Sequence, residues 1–333
     1  MAEPKKRGCL GCSLPIVILV AVVAIGIVVI GFLAGPIGQA MFHLDLPSWI
    51  VVEKPAIHLA APHLFEIGGF PITNTMLAGW FTVIFLVVGS WLITRRMKIV
   101  PNRIQVIFEF LLGWIYDLCE SVAGKENGRK FFPVVCTIFL FVAFNAWLSL
   151  IPGFGSILVG GGGHEYELLR GANTDLNTPL AISLVSCVFV AFYGMKSIGF
   201  SWVKQYFNFG PLLRSIGGIF KGKINFMDIF SNFVNAFVGG LEFLSMLIRI
   251  ISFTFRLFGN MTAGEILVVI VAFLVPMAMS WVVYGFELFV GFIQALVFAG
   301  LTLVFVTMAV ASHEGELHEN KNTEEKELLK EGT

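Results

Sequence analysis

Six stretches of this 333-residue chain stay apolar for about the length that crosses a lipid bilayer, and that repetition limits its fold more than any other feature. Inside hydrocarbon each unpaired backbone N–H or C=O costs several kcal/mol, so a spanning segment must satisfy itself as a helix or join a closed barrel. Barrel strands need only about 9–11 residues, whereas a perpendicular helix needs about 20. The runs near 14–34, 76–94, 131–151, 178–200, 235–275 and 283–311 have helical length. With 57% hydrophobic and 13% charged residues, the chain reads as an all-α integral membrane protein with six membrane segments. The run at 235–275 exceeds one perpendicular span, so it must tilt, bend or continue past the hydrocarbon. It and the last segment form a long tilted hairpin turning near Pro276.

The first segment follows Lys5-Lys6-Arg7, as a secretory signal would. Its apolar run is longer than the usual 7–15 residues and no small-x-small cleavage site follows, so it is predicted to be a retained anchor. The layout is then a basic segment with an extra anchor over 1–35, an outer loop over 36–73, the main membrane domain over 74–312 and a tail over 313–333.

Basic residues orient this map. With the N-terminus inside, inner segments hold eighteen Lys and Arg, among them Arg95, Arg96, Lys98 and Arg103, and outer loops hold only Lys54 and Arg170. That is the positive-inside pattern, and it makes both termini cytoplasmic. Only Arg249 and Arg256 remain as basic residues within the membrane. The tail from Ser312 mixes Glu and Lys and is predicted to be a short solvated end. Residues 102–123 repeat Ile104, Ile107, Phe108, Leu111, Leu112 and Ile115 at helical spacing among charges, which predicts an amphipathic helix on the inner surface.

Several function classes are excluded or weakened. The five cysteines show no disulfide framework, and the lone Cys9-x-x-Cys12 has no second pair to complete a zinc or redox site. All six histidines lie outside the apolar runs, against a haem or metal centre inside the membrane. Gly217-x-x-x-x-Gly222-Lys223 resembles a phosphate-binding loop but carries Ile224 where Ser or Thr should ligate magnesium, so neither nucleotide nor another cofactor is expected. Gly160–Gly163 marks a flexible outer loop. No internal repeat supports an inverted-repeat transporter.

The polar residues of 235–275 fall in register. At about 100° per residue, Glu242, Ser245, Arg249, Ser252 and Asn260 all lie within about 40° of Arg256, a stripe about 27 Å long. A guanidinium stays charged at any physiological pH, and at mid-bilayer it costs roughly 2.5–3.5 kcal/mol on insertion scales. A permanent charge beside an ion path would use it. The competing reading is a stripe that packs against another helix of the chain with its arginines paired to acids.

Glu265 lies nine residues beyond Arg256, on the opposite face. In the last span Glu287, Gly291 and Gln294 recur at i, i+4 and i+7, one face of a helix. An antiparallel hairpin brings Glu265 and Glu287 toward the same outer end. Two nearby carboxylates in low dielectric cannot both ionise cheaply, which suits a proton-loading site. A shared-proton pair with a purely structural role is the alternative.

The run Arg256-Leu-Phe-Gly-Asn260-Met-x-Ala-Gly-Glu265 resembles the signature of subunit a of the F-type ATP synthase, in its bacterial and plastid form. So do Leu150-Ile-Pro-Gly153 after Asn145, Ala172-Asn-Thr-Asp175-Leu-Asn177-Thr, and Gln294-Ala-x-x-Phe. The resemblance covers about residues 60–312. Segment 14–34 has no counterpart in the common five-span pattern, Ala146 stands where the family usually has a second Asn, and Glu287 stands where many bacterial members have His.

The resemblance implies a multi-pass protein of the bacterial plasma membrane, partnered by the c-ring, the b-type subunits of the peripheral stalk and membrane lipid, and binding no nucleic acid or nucleotide. It implies that Arg256 is the essential arginine facing the rotating ring, and that Glu265 and Glu287 are the acidic pair of the outer half-channel. Asn260 and Gln294 become polar lining near the arginine, Glu242 and Ser245 the inner route, and Arg249 a position that is often basic. On its own the chain is then no enzyme. The alternative is an autonomous ion channel or secondary transporter using the same buried charges without a ring.

Overall fold

The computed structural model describes residues 14–42, 61–151, 154, 157–160, 165–199, 226–275 and 279–331. Among them seven helices of four residues or more form: α1 (Leu14–Ala34), α2 (Pro36–Phe42), α3 (Asn74–Arg95), α4 (Arg103–Ser149), α5 (Asn177–Ile198), α6 (Phe226–Leu274) and α7 (Ser280–Glu331). Six of them, all but α2, are long and apolar enough to cross a membrane. Their positions match the six apolar runs, and the all-α membrane fold with its closing α6–α7 hairpin holds. Lys5-Lys6-Arg7, Cys9, Cys12, Gly161–Gly163, the Gly217–Lys223 segment and Pro276 lie outside the described residues.

The chain divides into two units, Met1–Ala60 with Met261–Val290, and Ala61–Asn260 with Gly291–Thr333. In the first, α1 is apolar on every side and only 6% of its best membrane window is buried. That suits a helix solvated by lipid, whose tails are as apolar as its own side chains. The same unit holds the end of α6 and the start of α7, which pack antiparallel.

The second unit carries the larger core. Phe131, Val135, Phe139 and Val142 of α4, Leu257 of α6 and Phe298, Leu303 and Val306 of α7 are almost completely buried. Phe292 of α7 meets Trp114, Phe139 and Trp147 of α4, with ring centroids 6.0, 5.7 and 6.5 Å apart. Gly291 sits in the same contact: a Cβ there would fall 2.8 Å from that of Ala146, so the α4–α7 approach depends on a missing side chain.

The amphipathic segment and the third span are one element with a break. Gly124 has φ 76° and ψ 166°, a conformation that disfavours any side chain. Just past the break, a Cβ on Gly128 would fall 2.8 Å from the Cys119 carbonyl oxygen, so the second part of α4 folds closely onto the last turn of the first.

At the opposite end of the spans a short hairpin precedes α3, with β1 (His63–Ile67) antiparallel to β2 (Phe70–Thr73) across Gly68 and Gly69, both at positive φ. The Thr73 side chain then caps α3 by accepting from the Met76 N–H at 3.3 Å. Asn74 donates to the Glu167 carbonyl at 3.1 Å and Thr75 to the Asp175 carboxylate at 3.2 Å, fixing the start of α3 to the chain ahead of α5. A second short hairpin, β3 (Leu158–Gly160) with β4 (Glu165–Glu167), lies between α4 and α5. At the other terminus the backbone of α7 stays helical to Glu331, since the Glu- and Lys-rich sequence after Gly315 is rich in helix formers until Gly332.

Candidate functional site

Helix α6 positions six of the predicted polar residues, all in the larger unit. Phe253, Thr254 and Leu257 are buried and anchor it. Phe253 packs on Phe298 and Phe305 of α7 at 4.8 and 5.8 Å between ring centroids. On the other side Ile248, Ile251 and Phe255 are each more than half exposed. The stripe runs along the border of these two faces. Ser245 and Ser252 lie on its open side, while Glu242, Arg249, Arg256 and Asn260 are half-buried. One face of α6 is thus left uncovered, apolar and edged with charge.

The two arginines differ in their surroundings. The Arg249 guanidinium carbon stands 3.7 Å from the centre of the Phe305 ring, close enough for stacking and a cation–π contact. It also lines a cavity of about 20 Å³ between α5, α6 and α7, with Ser183, Ser186 and Cys187 on the facing wall. That volume is about what one water molecule needs. The Arg256 guanidinium carbon is 5.6 Å from the Phe253 ring. Among the described residues no carboxylate pairs with it.

Around the cavity a set of hydroxyls joins three helices. Thr254 donates to Ser183 at 3.0 Å, and Ser186 and Thr302 share a hydrogen bond of 2.7 Å. The sequence reading missed all four. Their signal was available, since Ser183 and Ser186 are three apart in an apolar span, but partners 71 and 116 residues away leave no trace in local spacing.

In the smaller unit Glu287 is 8% exposed and its carboxyl fills the notch that Gly264 leaves open. A Cβ on Gly264 would meet Oε2, and would fall 2.6 and 2.7 Å from Cδ and Oε1. The hairpin therefore sets Glu287 against the turn of α6 that also carries Glu265, itself half-buried. The last predicted residue, Gln294, is 8% exposed in the larger unit, and its Nε2 has no hydrogen-bond partner among the described residues. A buried amide donor of that kind calls for a water molecule or an incoming polar group.

Comparison with known proteins agrees with the motif pattern. Residues 76–307 match the family model described as ATP synthase A chain. The chain is 25% identical over 257 residues to ATP synthase subunit a of Moorella thermoacetica, covering 77% of this chain and 99% of that protein. It is 32% identical over 245 residues to ATP synthase subunit a of Gloeobacter violaceus, covering 72% of this chain and 85% of that protein.

Proposed function

The chain belongs to the ATP synthase A chain family, and from that premise we propose that it is the proton-translocating stator subunit of the membrane sector, offering two offset half-channels to a rotating c-ring. The observation that carries this reading is the position of Arg256, half-buried at the edge of an uncovered apolar face of α6 in the middle of a polar stripe. A charge placed there is available to a carboxylate arriving from outside the chain.

A proton enters from outside by way of Glu265 and Glu287, with Asn260 and Gln294 as polar lining, and neutralises a carboxylate on the ring. A neutral carboxyl can face lipid, whereas an ionised one cannot because of its solvation cost. The ring therefore turns through the membrane before the proton leaves along Glu242 and Ser245, with Arg249 holding the wall of that inner route. Arg256 repels a proton attempting to cross directly and attracts each newly ionised ring carboxylate. One charge crossing 100 mV releases about 2.3 kcal/mol, so several must pass for each ATP made. The nucleotide chemistry belongs to other subunits, and the b-type stalk would hold this chain against the ring's torque. The distribution of Lys and Arg supports both termini inside, and the likeness to bacterial relatives supports the bacterial plasma membrane as the location.

The test is ATP-driven proton pumping by the complex carrying Arg256→Ala or Arg256→Lys, assayed in membrane vesicles with ring retention checked by co-purification. Pumping should fall below about one hundredth of the starting rate, a loss of roughly 3 kcal/mol of coupling. Near-normal pumping by either variant would overturn the assignment.

A further inference from the structure

At the membrane face where α3 ends and α4 begins, four cations fall within nine residues: Arg95, Arg96, Lys98 and Arg103. All four are exposed, and no acidic residue occurs between Arg95 and Glu109. The connection is held in shape. Gln105 is buried, its Oε1 accepts from the Lys98 N–H at 3.2 Å and its Nε2 donates to the Lys98 carbonyl at 3.1 Å. Asn102 caps α4 through the Arg103 N–H at 2.8 Å. The Arg95 guanidinium carbon lies 4.9 Å from the ring centre of Trp91, a residue type that settles at the level of lipid headgroups.

The braced turn thrusts apolar side chains outward. Ile99 is fully exposed and Val100 is 81% exposed, while Ile107 and Phe110 on α4 are 68% and 74% exposed. Ile107 and Phe110 flank Arg103 on the helical wheel, within about 40° of it on either side. The face opposite, with Gln105, Ile115 and Cys119, is buried in the protein. The start of α4 is thus apolar on two sides, one packed inward and one open, and the open side carries positive charge. Water would solvate such an edge poorly, and a neutral lipid would leave its four charges uncompensated.

We propose that this edge binds anionic phospholipid, with the four cations at the phosphates and Ile99, Val100, Ile107 and Phe110 in the upper acyl layer. Long basic side chains reach a headgroup while their stems lie in the apolar layer. Each cation near an anionic surface multiplies affinity about fivefold. The lipid so held would fix the depth of α3 and of the first part of α4, a role separate from the half-channels and independent of them.

The assembled complex in nanodiscs of equal phosphatidylglycerol and phosphatidylcholine tests this by native mass spectrometry of retained lipid. The complex should keep phosphatidylglycerol in preference, and R95Q/R96Q/K98Q/R103Q should lower that preference at least about tenfold, while R95K/R96K/R103K keeps it. If the fourfold variant does not assemble, Arg96→Gln and Arg103→Gln singly should each lower it about two- to fivefold. An unchanged preference in either form of the test overturns the proposal. A nitroxide on Val100→Cys adds a direct reading of place. Relaxation by oxygen rather than by a water-soluble nickel chelate supports the proposal. Access to the chelate, or shielding from both agents by a covering protein helix, overturns it.

Discussion

Arg249 and Arg256 are two turns apart on one helix and point within about 20° of each other, yet their surroundings differ. Arg249 is stacked at 3.7 Å on Phe305 and closes a small cavity lined by serines. Arg256 stands 5.6 Å from its nearest ring, at the edge of the open face, with no carboxylate partner among the described residues. A cation whose near contacts are filled by its own chain has less to offer a visitor. One left incompletely matched in a low dielectric attracts any anion that comes within reach. The comparison teaches that burial of charge alone does not single out a residue for the proposed role; incomplete satisfaction by its own chain does.

The sharpest way to break the comparison is to neutralise each arginine in turn. Arg256→Ala should abolish ATP-driven pumping, by about a hundredfold or more, whereas Arg249→Met, which keeps most of the stacked volume, should leave it within about threefold. Equal losses from the two would erase the distinction. Next in size is Glu287→Gln, expected to slow proton flux several-fold and to alter its pH profile, because a carboxamide cannot give up and regain a proton. An unaltered profile in flux measurements across pH 6–9 would remove Glu287 from proton loading. Phe305→Leu removes the ring stacked on Arg249 and a ring contact of Phe253, and should cost about 1 kcal/mol of stability in thermal denaturation of the detergent-solubilised complex, with pumping little changed. Smallest is Ser183→Ala, expected to cost about 0.6 kcal/mol, as interhelical hydroxyl bonds in membranes average. Thr254 still bonds the Ile250 carbonyl at 2.8 Å when Ser183 is gone.

What the sequence disclosed follows from which rules act locally. The spans were legible because hydrocarbon thickness sets their length, and α1, α3 and α5 begin and end within about three residues of their apolar runs. The α6 stripe was legible because helical period is fixed, so Glu242 to Asn260 could be placed on one side by counting. What lay opposite each residue was not. Nothing in the run around Arg249 announces Phe305, and nothing near Ser186 announces Thr302. The break in α4 falls where the amphipathic segment 102–123 is read to end, because the polar run from Gly124 to Lys130 interrupts the apolar periodicity. That helix resumes there at once, instead of a loop, was not legible, since a glycine reveals its φ only once the chain is folded. The hairpin over His63–Thr73 was merged into an outer loop, although Gly68-Gly69 between short apolar stretches is a turn signal.

The fit of Glu287 into the space beside Gly264 ties the fates of two positions 23 residues apart. They share one small volume, and whatever one gains in bulk the other must surrender. Gly264→Ala alone should push the carboxylate aside, and shortening the acid to Asp in the same molecule should make room again. In a library randomised at both places, active clones would therefore come in matched pairs, and the permitted pairs would measure how much room the carboxyl needs.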